Sequence, residues 1–387
     1  MMDKRDAVIV AYGRSAYAKA FKGSFANCHP VEYAAQVLKG VLEKVPGVVE
    51  AGIDDFVVGC AMPFGVTGRN VAKLILQRAE LPDSIPAVTV NRFCSSGLQT
   101  LSIAANAIRC GEIDIAVAGG VESMTKASEV PNESTVDPWL VEHRPGVYAA
   151  MGVTAENVAQ KYQISREDMD LFSCESHQKA AAAWDENFFA EQIVPVEVTM
   201  IDGSTKIVAQ DEGIRRDTTI EKLSALKPCF LENGQVTAGN SSQMTDGAGF
   251  VVLMAMEKAE QLGLKPIARL VQFAVAGVPA ELMGIGPIAA VPKVMERSGL
   301  SLADMDVIEL NEAFASQSLA CIRELNLDQQ KVNPVGGAIA LGHPLGASGA
   351  MLVCKALTWL QKHNGRYGLV TMCIGGGQGA AGILELL

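Results

Sequence analysis

One order of elements can be read twice in this chain: strand–helix, strand–turn–helix, strand–glycine turn. A strand over residues 7–11, a turn-rich stretch over 12–27 and an amphipathic helix over 30–44 precede it. The first copy takes a strand over 54–60 with a helix over 70–79. Residues 88–97 then begin as a β-rich run and pass into a small-residue helix over 98–108. The apolar period changes there from about 2 to about 3.6, around Cys94. An apolar strand over 113–118 ends at Gly119-Gly120. The second copy offers 306–310 with a helix over 312–325, a strand–turn–helix over 331–360, and a strand with its glycine turn over 368–377. This pattern predicts an internal duplication of about 110 residues per copy. Alternating strands and helices imply an α/β fold, a mostly parallel sheet covered on both faces.

Between the copies the character changes. Residues 122–147 hold three prolines and little periodicity, 154–162 and 166–187 read as helices, and 211–227 carry mixed charge. Residues 250–256 resume the strand pattern. The expected organisation is an N-terminal half over 1–120, an inserted loop domain over 121–244, a return of the chain to the first half over 245–268, and a C-terminal half over 269–387.

Composition narrows the function. A chain of 387 residues, half hydrophobic with 37 glycines and few aromatics, suits Val/Ile/Ala strands under tightly packed helices. A formal net charge of −11 argues against nucleic-acid partners and acidic membranes, though an anionic ligand needs only a local basic patch. Nine cysteines without a CxxC pair suggest neither a disulfide framework nor a zinc site, and a reducing compartment follows. Asp3 and Asp6 precede the first strand without a signal or transit pattern, and Leu384-Glu385-Leu386-Leu387 is no peroxisomal address. The apolar run 335–353 is broken by His343, Pro344 and glycines, so no membrane insertion is expected. The expected location is the cytoplasm.

Four residues carry the candidate chemistry. Cys94 sits at a strand-to-helix junction, where free N–H groups and the helix dipole favour a thiolate; alternatively it is a small buried residue in a turn. His343 lies in the glycine-rich loop Gly342-His343-Pro344-Leu345-Gly346 and could equally be structural. Cys373 leaves a strand into Gly375-Gly376-Gly377, where N–H groups can face a ligand. Asn311, in Asn311-Glu312-Ala313-Phe314, reads alternatively as a helix N-cap. If the halves pack about a pseudo-twofold axis, the Cys94 turn, the His343 loop and the Cys373 turn can converge. A nucleophile, a histidine base and a second thiol of pKa about 8.5 suit acyl transfer through a thioester. No metal motif, P-loop or GxGxxG fingerprint is present.

At these residues the chain resembles the thiolases. The resemblance is carried by Asn91-Arg92-Phe93-Cys94-Ser95-Ser96-Gly97, Gly119-Gly120-Val121-Glu122-Ser123-Met124 and Thr237-Ala238-Gly239-Asn240-Ser241-Ser242. Asn311-Glu312-Ala313-Phe314-Ala315, Gly342-His343-Pro344-Leu345-Gly346 and Cys373-Ile374-Gly375-Gly376-Gly377 complete it, in the family's order. It implies a five-layered α-β-α-β-α fold with an inserted loop domain that binds coenzyme A. It implies Cys94 as the acylated nucleophile, His343 as its activator and Cys373 as the acid/base at the α-carbon of acetyl-CoA. Asn311 would hold a water that, with His343, stabilises the enolate oxygen, and the N–H groups of Cys94 and Gly375 would form an oxyanion hole. Arg215 and Ser242 match CoA contacts, Ala238 lies in the same motif as Ser242, and Met151 and Met283 match residues lining the acyl and pantetheine channel. Arg216, Lys222 and Lys227 add to the basic character beside Arg215, with an ordinary solvated charge run as the alternative for the two lysines.

Coenzyme A and acyl-CoA are then substrates, and no permanently bound cofactor is needed. A homodimer or homotetramer is implied, with association with other fatty-acid oxidation enzymes as a further expectation. Ser15-Ala16 replaces the family's usual Thr-Pro, and Ala150 stands where acetoacetyl-CoA thiolases usually carry histidine. Met283-Gly284-Ile285-Gly286-Pro287 and Asn240-Ser241-Ser242-Gln243 look more like the degradative branch. The expected activity is therefore a 3-ketoacyl-CoA thiolase. The alternatives are an acetyl-CoA acetyltransferase condensing two acetyl-CoA molecules and a non-catalytic acyl-CoA or lipid-binding relative. A decarboxylating ketoacyl synthase is disfavoured by Cys373.

Overall fold

Strand β1 (Ala7–Arg14) is buried along its whole length, and its side chains divide between two cores. Val8 and Val10 join one, Ala7 and Ile9 the other, as the alternation of a strand requires. A strand apolar on both faces must be covered on both sides. The computed structural model describes residues 3–129 and 136–387, so Pro131 of the proline-rich stretch lies outside the described residues.

The remaining strands are β2 (Ala18–Lys19), β3 (Asp55–Gly59), β4 (Ala87–Val90), β5 (Ile115–Ser123), β6 (Val196–Thr199), β7 (Thr205–Val208), β8 (Thr245–Ala255), β9 (Ala268–Gly277), β10 (Val307–Leu310), β11 (Tyr367–Ile374) and β12 (Gln378–Leu386). The first half orders its strands β4-β3-β5-β8-β1, and the second β10-β11-β12-β9. In the first, β3 runs parallel to β4 and β5, while β8 and β1 follow antiparallel. In the second, β10 runs parallel to β11, and β12 and β9 follow antiparallel. Val332 forms a parallel bridge to Ile308, in the place corresponding to β4. Order and sense therefore repeat strand for strand, which is the duplication. The halves join where Val8 and Ile9 pair with Arg269 and Ala268.

Three cores define the layers. Helices Pro30–Leu42 and Val71–Arg78 cover the outer face of the first half. Helices Ser96–Cys110 and Leu345–His363 lie between the halves and share one core with both. Helices Gly286–Ser298 and Ala315–Glu324 cover the outer face of the second. The result is the five-layered α-β-α-β-α arrangement. The two central helices approach backbone to backbone. A Cβ at Gly97 would lie 2.9 Å from Gly346 O and from Ala350 N, closer than a side chain tolerates. Among the described residues no helix is long and apolar enough to cross a membrane.

The segment between β5 and β8 holds helices Met151–Lys161 and Arg166–Asp185, the β6–β7 hairpin and the short helix Ile220–Ser224. Its anchor to β1 is a buried ion pair: Arg14 donates to both carboxylate oxygens of Asp211 at 2.8 and 3.0 Å. Gln192 Oε1 accepts from Arg14 Nε at 2.7 Å, and the Tyr17 N–H donates to Asp211 at 2.7 Å. With nearly every lone pair and proton used, the desolvation cost of the pair is offset.

Candidate active site

Cys94 occupies a single 3-10 turn, Phe93–Ser95, between β4 and the Ser96–Cys110 helix. Phe93 has φ 43°, a left-handed value uncommon for a bulky residue. Asn91 Oδ1 accepts the Phe93 N–H at 2.8 Å. Ser96 Oγ accepts from the Arg92 N–H at 2.8 Å and donates to Phe93 O at 2.7 Å. This network holds the turn in its strained form and fixes the sulfur.

The junction does not make Cys94 a resting thiolate. Burial pushes its thiol up to about 11; the backbone N–H groups of Gly375 and of Cys94 itself pull the other way, and the Glu122 charge adds to the rise. Exclusion from water outweighs the pull of the helix end, as the alternative of a buried turn residue would have it. Cys373, near the end of β11, is also fully buried, and its thiol is held well above the usual range by burial and then by its neighbour Cys94. The turn after it needs glycine at Gly376 and Gly377, with φ 78° and 86°. A Cβ at Gly375 would lie 3.7 Å from Met151 Sδ and 3.8 Å from the Phe93 ring. Cys94, Cys373, Gly375, Phe93 and Met151 thus form one group.

His343 is held from several sides. Its N–H faces Gln243 O and Thr245 Oγ1, both at 3.1 Å. Ser348 Oγ lies 2.5 Å from His343 Nδ1 and donates its own hydrogen to Pro344 O at 2.9 Å. A hydroxyl has one hydrogen, so Ser348 must accept from Nδ1–H, which leaves the lone pair on Nε2. Asn311 Nδ2 stands 3.3 Å from that Nε2. Burial lowers the imidazole pKa to about 4, so it is a neutral base at physiological pH.

Asn311 is not a helix cap. The following helix begins at Ala315 with Phe314 at its N-cap, while Asn311 is buried and its Oδ1 makes no hydrogen bond within the protein. Its neighbour Glu312 accepts from Ser176 Oγ at 2.7 Å, Asn333 Nδ2 at 2.8 Å and the Ile339 N–H at 3.2 Å, bracing the approach to the His343 loop. His343 is linked to the nucleophile turn through Gly346, three residues on, whose carbonyl lies against Gly97, three residues after Cys94.

The CoA-binding candidates divide. Arg215 is exposed and has no ion-pair partner among the described residues, whereas Arg216 pairs with Asp185 at 2.9 Å and Lys222 with Asp217 at 2.6 Å as ordinary surface pairs. Gly213, two residues before Arg215, packs on Ala340 and Leu341, and Gln243 Nε2 bonds Gly213 O at 2.9 Å and Ile339 O at 3.0 Å. Arg215 therefore lies on a segment seated against the His343 loop. Ser242 donates its N–H to Ala313 O at 2.9 Å, and Ala238 is exposed nearby in sequence. Met151 is 37% exposed, while Met283 is buried in the core that contains Cys373 and Phe314. Thr245 escaped the sequence reading, and Ser348 and Gln243, though inside stretches quoted there, were given no role in holding His343.

Comparison with known proteins decides the family. The family description "Thiolase, N-terminal domain" matches residues 7–257, and "Thiolase, C-terminal domain" matches 264–386. The chain belongs to the thiolase family. It is 48% identical to the 3-ketoacyl-CoA thiolase of Bacillus subtilis, over 99% of this chain and 100% of that one. It is 46% identical to a beta-ketoadipyl-CoA thiolase of Pseudomonas aeruginosa, over 98% of both. The crystal structure of the dimeric peroxisomal thiolase of Saccharomyces cerevisiae superposes with a TM-score of 0.93 at 41% identity, covering 100% of this chain and 99% of that one. As a thiolase the protein is an acyltransferase that works on CoA thioesters and needs no resident cofactor.

Proposed function

We propose that this thiolase cleaves 3-ketoacyl-CoA with free CoA, giving acetyl-CoA and a shortened acyl-CoA. His343 Nε2 takes the Cys94 proton, and the sulfur attacks the 3-keto carbon. The bond between C2 and C3 breaks, its electron pair passing to the acetyl-CoA enolate, which takes its proton from Cys373. Incoming CoA gives its thiol proton to the Cys373 thiolate and attacks the acyl-Cys94 thioester. Cys94 leaves and recovers its proton from His343. The N–H groups of Cys94 and Gly375 serve the oxyanion of the acyl-enzyme, and His343 with Asn311 serves the enolate oxygen; losing one such donor typically costs about 3–4 kcal/mol.

The observation that carries this reading is a buried, neutral Cys94 grouped with Cys373 and the glycine turn at Gly375. Three groups neutral at rest can exchange protons without stranding a charge in a dry site. Residues 121–244 act as the CoA-binding insertion, with Arg215, Ser242 and Ala238 toward the nucleotide and pantetheine and Met151 and Met283 along the acyl path. The enzyme works as a homodimer, since β4 leaves an open, half-exposed sheet edge and the yeast relative is dimeric. Its nine unpaired cysteines suit a reducing cytoplasm.

Ala150 and the Met283–Pro287 stretch favour 3-ketoacyl substrates over acetoacetyl-CoA alone. Acetyl-CoA formation measured across 3-ketoacyl-CoA chain lengths tests this: turnover should extend beyond acetoacetyl-CoA. Activity confined to acetoacetyl-CoA would instead identify an acetyl-CoA acetyltransferase, and none on any 3-ketoacyl-CoA a binding protein.

A further inference from the structure

Glu122 is a fully buried carboxylate that the acyl-transfer steps do not use. It stands near the end of β5, where the backbone of both halves is in contact. A Cβ at Gly120 would fall on Gly346 O, one at Gly59 would lie 2.5–2.6 Å from the backbone of Ser96 and Gly97, and one at Gly346 would lie 2.7 Å from Ala61 N. The exit of β3, the start of the nucleophile helix and the start of the Leu345–His363 helix therefore meet here. Glu122 bonds across the junction. Its Oε2 accepts from the Ala61 N–H and the Gly346 N–H, each at 2.8 Å. Its Oε1 faces the Met62 N–H at 3.4 Å and Cys60 Sγ at 3.6 Å. Asn91, next to the Cys94 turn, closes the circuit by donating to Ala61 O at 3.1 Å.

We propose that Glu122 is a positioning residue for acylation: its carboxylate ties the loop carrying His343 to the turn carrying Cys94. This rests on the assignment of Cys94 and His343 as the acylation pair. The tie runs from one half of the molecule to the other, because Gly346 follows His343 by three residues while Ala61 and Asn91 belong to the nucleophile's half. Glu312 braces the same loop from its opposite end through Ile339. Three N–H donors surround Glu122, so only the ionised carboxylate, an acceptor on both oxygens, satisfies them all. A carboxylic acid would turn its own hydrogen into that ring, and an amide would turn in two.

The junction is consequently sensitive to pH. Burial holds the Glu122 carboxyl up at about 7, against the pull of the Gly346 and Ala61 N–H bonds. The titratable groups around it are Cys60 at the exit of β3, Cys94, Tyr33 of helix Pro30–Leu42, whose hydroxyl donates to Glu122 O at 2.6 Å, and Asp246 of β8, a neighbour of Tyr33. Burial keeps both thiols and the phenol protonated at neutral pH. Because the folded pKa of Glu122 lies above its unfolded value, this group adds stability as the pH falls through 7 and removes it as the pH rises. Acylation runs the other way, since protonation loosens the tie. A purely structural carboxylate would leave no such opposition.

The test follows acylation of Cys94 by acetyl-CoA with the whole chain, by rapid quench and mass spectrometry, on both sides of pH 7, alongside thermal melting. The parent should slow by about tenfold per pH unit on the acid side while its melting temperature does not fall. Glu122→Gln should melt cooperatively, acylate about 10- to 100-fold more slowly above pH 7, lose the acid limb, and keep the KM for CoA within about twofold. Glu122→Asp, charged but too short to reach every donor, should fall between. A Glu122→Gln protein that acylates at the parental rate, or keeps the parental acid limb, overturns the inference. So does one whose kcat and KM change only in step with lost folded protein. Should Glu122→Gln not melt cooperatively, parental acylation by Glu122→Asp overturns it. If the parent itself is acylated elsewhere than at Cys94, the assignment of the nucleophile fails instead.

Discussion

At the scale of single residues, burial is the force that decides the chemistry. Cys94, with its thiol up at about 11, and His343, with its imidazole down at about 4, are both neutral at rest. Alkylation of Cys94 by iodoacetamide should therefore keep rising with pH through the neutral range, because the thiolate fraction grows about tenfold per unit below the pKa. A plateau reached by neutral pH would show a preformed thiolate instead. Replacing Cys94 by Ala should abolish stoichiometric acylation by acyl-CoA, and an acyl group retained on the variant in the mass spectrum would contradict its assignment. For Arg215→Ala the KM for CoA should rise more than kcat falls, because a contact remote from the reacting atoms is mostly uniform binding; an unchanged KM would move the CoA site elsewhere. Cys94, His343 and Cys373 could be singled out as candidates in the sequence because each stands beside glycines or a change of period. Glu122 was not, because the expected strand stopped at Gly119-Gly120 and left it in a stretch of little periodicity, where a lone charge reads as solvated. The pKa values were not legible either, since the direction depends on what covers each group.

Elements were readable where their periodicity was clean. Residues 30–44, 70–79 and 98–108 are helices within a few residues of the predicted ends, and β5 runs on to Ser123 beyond the expected stop at Gly119. Strands β9 and β12 and the β6–β7 hairpin were missed. β9 is only partly buried on much of one face, so its apolar signal is diluted. The Gly286–Ser298 helix carries Pro287 in its first turn and Pro292 in its interior, which disguise it as a loop. At this scale the critical contact is the crossing of the two central helices. Gly349→Ala would drive a methyl onto the Leu98 backbone and should cost about 1–3 kcal/mol. A urea midpoint unchanged from the parent would mean that the crossing has room to spare.

On the scale of the whole molecule, the duplication explains why two cysteines far apart in sequence share one site. The two central helices, one following the nucleophile turn and one following the His343 loop, share a single core with both halves. An open β4 edge on the same half as Cys94 invites a second copy. Val88→Glu, which places a charge on that half-exposed strand, should shift the protein toward monomer in sedimentation; an unaltered dimer would place the interface elsewhere. In the proposed mechanism the halves divide the labour: Cys94 of the first half would carry the acyl group, and Cys373 of the second would move the proton of the carbon–carbon step. The direct test of that division is the Cys373→Ala variant, with acyl-enzyme formation and exchange of the acetyl-CoA methyl protons with deuterated water measured on the same sample. Acylation should persist, slowed at most in part, while exchange and thiolysis fall by about 100- to 10,000-fold. Exchange at the parental rate would contradict the role of Cys373, and lost acylation with surviving exchange would mean that the two cysteines have been assigned the wrong way round.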